Sequence, residues 1–280
     1  MNWQRVKWLL IGMLVLGNLI LAALYRERRD ENLRAALQFH DTLVSALTIR
    51  GVTLAQEVEE RLFDDAFRLY ALRDAAREEE LAAALLGAVS RLDQGGRMYL
   101  YENAAGKALF RGGGQFQAEW TSPPPVEGSL EDDALSLLLR AGFPTDPPPA
   151  IERSQSNATV TLVQRINDLP VFDAYVIVRY ENDSLVSLSG RWLWGDPLPA
   201  EGEPPCPVLG AALMRFAEGQ IDAGKPVSYV ESVQAGWLLS AFQSDYVCLT
   251  PVWRVTADGG EYLVDPETSS VREADTTTSH

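Results

Sequence analysis

The sequence is poor in the side chains on which many enzymes and metal sites rely. Its 280 residues include two histidines and two cysteines. His40 falls on a predicted helical stalk and His280 is the last residue, which leaves no histidine for a ligand set or a proton relay inside a folded domain. Cys206 and Cys248 lack the C-x-x-C spacing of zinc and redox motifs. Outside the cytoplasm they are a candidate disulfide pair, and otherwise two separate buried thiols. No G-x-S-x-G, H-E-x-x-H or Walker pattern occurs. The triplet Gly112, Gly113, Gly114 lacks the Lys-Ser/Thr of a phosphate loop and lies between predicted strands, so it reads as a hairpin turn. No cofactor, metal site or catalytic set is expected.

Positive charge is also scarce. Lys and Arg number 24 against 39 Asp and Glu, for a formal net charge of −15. That balance argues against nucleic acid as a partner. It argues equally against adhesion to an anionic membrane surface, except through Arg26, Arg28 and Arg29. The acid clusters at 78–80 and 131–133 fall in the first turns of predicted helices, where the helix dipole accounts for them. They are expected to be solvated. Asp173 and Asp196 could be imagined as the carboxylate pair of a glycosidase, but nothing in the sequence fixes their separation. Trp192, Trp194, Trp237 and Trp253 could line a sugar groove, though filling the space between helix and sheet explains them as well.

Long apolar runs are absent after the first. Residues 8–25, WLLIGMLVLGNLILAALY, carry no charge. At about 1.5 Å per residue, and with Trp3 and Val6 beside them, they are just long enough to cross a hydrocarbon core of about 30 Å. Trp8 and Tyr25 mark the two interfaces, and Arg5, Lys7, Arg26, Arg28 and Arg29 stop the run on both sides. A cleaved signal peptide is the alternative. Its apolar region would be shorter, and the best cleavage site, Leu21-Ala22-Ala23, begins with a bulky residue, so an uncleaved anchor is favoured. Counting Lys and Arg at the flanks puts the C-terminal side in the cytoplasm, yet long domains cross largely regardless of that count. Asn18 lies inside the run. Its amide either bonds its own helix backbone or meets another transmembrane helix.

Beyond the anchor, helix continues to residue 50 with Leu33, Leu37, His40, Val44 and Leu47 on one face, and Gly51 ends it. Thr53 and Gln56 are spaced as a capping box for a short helix. A strand over 67–72, a helix capped by Asp74 through 86, and short strands over 97–102, 106–111 and 115–120 follow. Pro123 to Pro125 marks a boundary. Ser129 and Asp132 open the next helix, closed by Gly142 and Pro144, and strands follow over 158–166, 171–180 and 185–194. A proline-rich linker leads to a helix from Pro207 to about 222, then to strands over 227–240, 245–256, 261–265 and 270–273. Pro251 within a strand implies an edge or a bulge.

Three segments carry a family resemblance. The anchor MNWQRVKWLLIGMLVLGNLILAALY resembles the N-terminus of the YycI/YycH regulatory proteins of two-component systems. LPVFDAYVIVRYENDSLVSLSGRWLWG (169–195) is similar to the first meander of their extracytoplasmic domain, and LTPVWRVTADGGEYLVDPETSSV (249–271) to the end of the second. The latter also resembles PepSY-like modules. The resemblance implies a single-pass protein of the bacterial cell membrane, with its N-terminus in the cytoplasm and its bulk outside. It implies a membrane histidine kinase governing cell-wall metabolism as partner, together with a paralogous YycH-like protein, and it supplies no catalytic residues.

The expected fold class is therefore α+β. A single transmembrane helix precedes tandem modules of one helix packed on an antiparallel β-meander. The expected divisions are 1–7 cytoplasmic tail, 8–25 anchor, 26–50 juxtamembrane helix, 51–122 N-terminal α+β module, 129–195 and 205–273 helix-meander modules, and 274–280 disordered tail. The expected function is non-enzymatic control of the kinase through helix contacts in the membrane, with Gly12, Gly17 and Asn18 at the contact. The alternative is an extracytoplasmic binding module for a peptide, a protease or a cell-wall ligand.

Overall fold

The computed structural model describes residues 40–62, 67–126, 128–199, 206–240, 246–268 and 270–274. The anchor, with Gly12, Gly17 and Asn18, lies outside the described residues. Among those described, no helix is long and apolar enough to cross a membrane. The fold is α+β, with a large, mainly antiparallel sheet and few helices.

The first described element is helix α1 (40–49). Leu47 is fully buried, and the helix closes at Gly51 through a Val52 N–H to Leu47 carbonyl bond of 2.9 Å. Strand β1 (Thr53–Leu54) and helix α2 (Gln56–Glu59) follow. Thr53 does not cap α2. The cap position is Ala55, without a side-chain bond, and the Thr53 hydroxyl donates instead to the Ser228 carbonyl. The reason is topological: β1 pairs in parallel with a late strand, and that ladder claims Thr53. Next come β2 (Leu69–Leu72), α3 (Ala75–Leu86), β3 (Ser90–Asp93), β4 (Tyr99–Glu102), β5 (Gly106–Phe110) and β6 (Gln115–Trp120). Asp74 caps α3 by accepting from the Ala76 and Arg77 amides. The glycine triplet is a single tight turn between β5 and β6.

Helix α4 (Leu130–Arg140) opens at Ser129, whose Oγ accepts from the Asp132 amide at 3.1 Å. It ends at Gly142, at φ +82°, where the Phe143 N–H reaches the Leu138 carbonyl. Strands β7 (Ala150–Ser154), β8 (Asn157–Ile166), β9 (Leu169–Glu181) and β10 (Ser184–Arg191) then run as an antiparallel meander. Asn167-Asp168 and Asn182-Asp183 make its turns at positive φ, the conformation that two-residue hairpins favour and that Asn and Asp tolerate. After β11 (Leu198–Pro199), helix α5 (Leu209–Asp222) starts just beyond Pro207. Strands β12 (Tyr229–Ser240), β13 (Tyr246–Ala257), β14 (Gly260–Val264) and β15 (Val271–Glu273) form the last meander.

All 15 strands among the described residues belong to one sheet. Its two halves are joined through a parallel contact of β9 with β12, at Val171 opposite Trp237. On β9 the residues Ala174, Val176, Val178 and Tyr180 are buried, while Asp173, Tyr175 and Ile177 are half-buried and Arg179 is exposed. Val176, Val178 and Tyr180 meet α3 and α4 in one core with Leu138, Phe143 and Trp192. Helices α1, α2 and α5 cover β12 to β14 over a second core containing Leu47, Phe216 and Trp253. A third cluster, with Val171, Trp237 and Leu249, fills the seam.

The described residues of 51–122 have no core of their own. β1 and α2 pack with the last meander, β2 pairs with β13, and β3 to β6 extend the first meander through β10. Each meander alone would leave an unpaired edge, and this early segment supplies strands to both. Pro251 sits where the outer edge of β13 passes from β2, which ends its pairing at Leu249, to β14, which begins at Trp253. Its missing N–H therefore falls in an interval without a partner on that edge.

Candidate functional site

The outer faces of the two half-sheets, opposite the helices, open into a cleft of about 750 Å³ at the β9–β12 seam. One wall carries Thr159 and Thr161 of β8 and Tyr175 and Arg179 of β9. The other carries Ser240, Thr250, Val252 and Arg254 of β12 and β13, with Arg272 of β15 at its rim. A second hollow of about 480 Å³ continues over β10, β6 and β5. Asp173, Tyr175 and Ile177 line both, so the floor is continuous.

Asp173 is the floor's fixed point. Its Oδ1 accepts from the Leu239 amide of β12 at 2.8 Å, and its Oδ2 accepts from Arg191 at 2.7 Å. Arg191 also donates from Nε to the Gly113 carbonyl at 2.9 Å, which ties the glycine turn to the same carboxylate. The two half-sheets are thus joined at Asp173 where their backbone ladder is thinnest. Burial pushes the Asp173 carboxyl up, against the opposing pull of the Leu239 amide and then Arg191. Asp196 lines neither hollow, so Asp173 has Arg191, not a second carboxylate, as its partner.

Arg254 projects into the cleft from a strand otherwise rich in valine. Its guanidinium carbon lies 4.2 Å from the centre of the Phe172 ring. Burial lowers its pKa, with Glu261 the opposing charge. Its Nε is buried without a hydrogen-bond partner, as is one oxygen of Glu261. Phe172 is seated against Gly236, where a Cβ would strike the ring.

Other residues singled out in the sequence have structural places. Cys206 and Cys248 form no disulfide with each other, the first being buried and the second half-buried. Trp192 meets Phe143 edge-on at 5.0 Å, Trp237 donates to the Ile166 carbonyl at 3.3 Å, and Trp253 is 2% exposed, so these three fill core space. Glu78 overturns the expectation of a solvated acid: it is 1% exposed and bonded to Arg73. Asp133 receives the Tyr180 hydroxyl at 2.7 Å. Among the described residues no group of three or more His, Cys, Asp or Glu is placed to hold a metal ion. Arg191, Arg254 and Phe172 were not singled out. The available signal was a lone arginine at an outward position of a largely apolar strand, TPVWRVTA.

No family model and no curated protein matches the sequence. Solved structures align with it over most of its length. A protein of Eubacterium rectale described as uncharacterized is 11% identical, over 76% of this chain and 87% of that one, at a TM-score of 0.43. The Bacillus megaterium YpeB C-terminal domain is 10% identical, over 74% of this chain and 99% of that one, at a TM-score of 0.32.

Proposed function

We propose that this chain is a non-enzymatic, membrane-anchored binding protein of the extracytoplasmic side. Its ligand site is the cleft over the β9–β12 seam. The observation that carries the reading is the commitment of Asp173: each of its oxygens already holds a donor, so the carboxylate serves to brace the cleft floor. A general acid or base acts through an oxygen within hydrogen-bond reach of substrate, whereas the oxygens of Asp173 are turned to Arg191 and the Leu239 amide. A concave site on a rigid sheet with a few convergent polar groups is the ordinary form of a binding site.

The test is photocrosslinking in cells from a reactive amino acid at Ser240 or Thr161, with Ile221 on the exposed side of α5 as control. The expected result is an adduct from the cleft positions that the control lacks. Identical patterns from all three positions would sink the reading.

The YycI/YycH resemblance, including its PepSY-like part, supports a more specific use. In it the protein regulates a membrane histidine kinase of cell-wall metabolism, beside a YycH-like paralogue, through its anchor in the bilayer. Asn18 within an uncharged run supports that use, because a buried amide in lipid gains from a partner helix. Asn18→Leu should then change kinase output and co-purification. If both are unchanged, contact through the membrane is not the mechanism.

A further inference from the structure

The cleft departs in charge from the rest of the molecule. The chain carries a net charge of −15, yet most of the acids lining the cleft are already engaged. Asp173 is held by Arg191 and the Leu239 amide. Asp265 accepts from the Glu267 and Thr268 amides and the Thr268 hydroxyl. Glu273 pairs with Lys225 at 3.0 Å. Glu152, exposed on the edge strand β7, is the acid left over. Against it stand Arg179, Arg254 and Arg272, none of which makes an ion pair among the described residues. Arg254 is the deepest of them. Its nearest opposing acid, Glu261, attracts it without a hydrogen bond.

We propose that the cleft recognises the carboxylate of an organic ligand, with Arg254 as the primary contact and Arg272 as the second. This rests on the cleft being a binding site, and it names the chemistry bound there. A guanidinium presents paired N–H donors that match a carboxylate, and stacking on an aromatic face fixes its plane before the ligand arrives. Phe172 provides that face at 4.2 Å, and Arg254 lines the cleft beside it. Thr161, Thr250 and Ser240 add hydroxyls around the same volume, while Val252, Leu238 and Leu263 offer an apolar surface. The ligand that fits both is an acid with an apolar body, such as the C-terminal residue of a peptide.

The experiment uses the full chain in phosphatidylcholine nanodiscs, which bring no anionic lipid. Citrate, inorganic phosphate and N-acetyl-leucine are titrated by calorimetry, with N-acetyl-leucine amide as the uncharged match. N-acetyl-leucine is expected to bind at about millimolar Kd or tighter, and its amide not to bind. Loss of a charge-assisted bond in Arg254→Gln should weaken the acid by roughly tenfold to a hundredfold. Arg254→Lys, which keeps the charge but loses the fork, should fall between. An unchanged unfolding midpoint of the free variants separates this effect from misfolding. Equal binding of acid and amide, no binding of the acid at about 10 mM, or undiminished binding by Arg254→Gln overturns the proposal. Phosphate binding more tightly than the carboxylates overturns the choice of carboxylate. If crosslinking from Ser240 persists in Arg254→Gln, the cleft keeps its binding role and the carboxylate assignment alone falls.

Discussion

Arg73 holds Glu78 through two parallel hydrogen bonds, Nε to Oε1 at 2.8 Å and the terminal nitrogen to Oε2 at 2.7 Å. The Glu78 side chain is 1% exposed and the Arg73 side chain 11%. Arg73 also donates to the Arg97 carbonyl at 2.7 Å and lies 4.8 Å from the Tyr99 ring centre, so it pins the β3–β4 turn to α3. Removing one partner strands a buried charge. Arg73→Ala is expected to lower stability by about 3–5 kcal/mol, whereas Arg73→Met with Glu78→Leu should lie near wild type. Urea unfolding of the three proteins decides it, and equal losses from the single and double variants would refute the pairing.

Asp173 sets a pH dependence of the less usual sign. Its carboxyl is raised above the ordinary 3.8, mainly by burial. The native state therefore binds the proton more tightly than the unfolded chain does. Its contribution is fully present below 3.8 and is lost as pH rises through the raised value. Relative to Asp173→Asn, the wild type should gain stability on acidification toward pH 3.8. Unfolding curves of both proteins across that range would contradict this if their difference stayed constant.

Asp258 does the opposite. It accepts from the Ser228 amide at 2.6 Å, the Ser228 hydroxyl at 2.9 Å and the Tyr229 amide at 3.0 Å. These donors hold its carboxyl below 3.8, the Ser228 amide foremost. Its stabilisation is present above 3.8 and is lost as pH falls through the lowered value. NMR titration of the side-chain carboxyl should place its midpoint below 3.8, and Ser228→Ala should move it upward.

Periodicity made the local elements legible. Strict alternation on β9 marked its inner and outer faces, and Asn-Asp pairs marked its hairpins, because both signals depend on neighbours in the chain. Short edge strands such as β3 and β7 went unseen; every residue of β3 is exposed, so it has no apolar pattern to read. Long-range pairing was equally hidden. Nothing near Thr53 announces a strand at Tyr229, and nothing in Glu78 distinguishes it from Glu79 and Glu80. The cleft belongs to this second group. Phe172, Gly236 and Arg254 are joined by the crossing of two half-sheets, which spacing does not encode.

Gln164 serves as a piece of backbone. At the irregularity between Val163 and Arg165 in β8, its side-chain amide donates to the Leu193 carbonyl at 2.8 Å and accepts from the Leu193 N–H at 2.9 Å. It is 5% exposed. Gln164→Leu leaves both Leu193 groups buried and unpaired, at a cost of about 1–3 kcal/mol for each. Gln164→Glu keeps an acceptor but sets a charge against the Leu193 carbonyl, and should cost at least as much. Thermal unfolding of the two variants tests this. A Gln164→Leu protein as stable as wild type would show that Leu193 finds other partners.

Gly236 controls how Phe172 meets Arg254. A Cβ there would strike the Phe172 ring and approach the Pro170 carbonyl. The ring is the movable member of that pair, and it is the surface on which Arg254 rests. Gly236→Ala should therefore overpack the site by about 1–3 kcal/mol and displace the guanidinium from its ring. Phe172→Leu alone should cost stability by loss of buried area. In the double variant the overlap with the ring is gone, leaving the Pro170 carbonyl to account for what remains. The two losses should then combine to less than their sum, as contacting residues do. Strict additivity in a double-mutant cycle would show that the ring does not depend on the absence of a side chain at position 236.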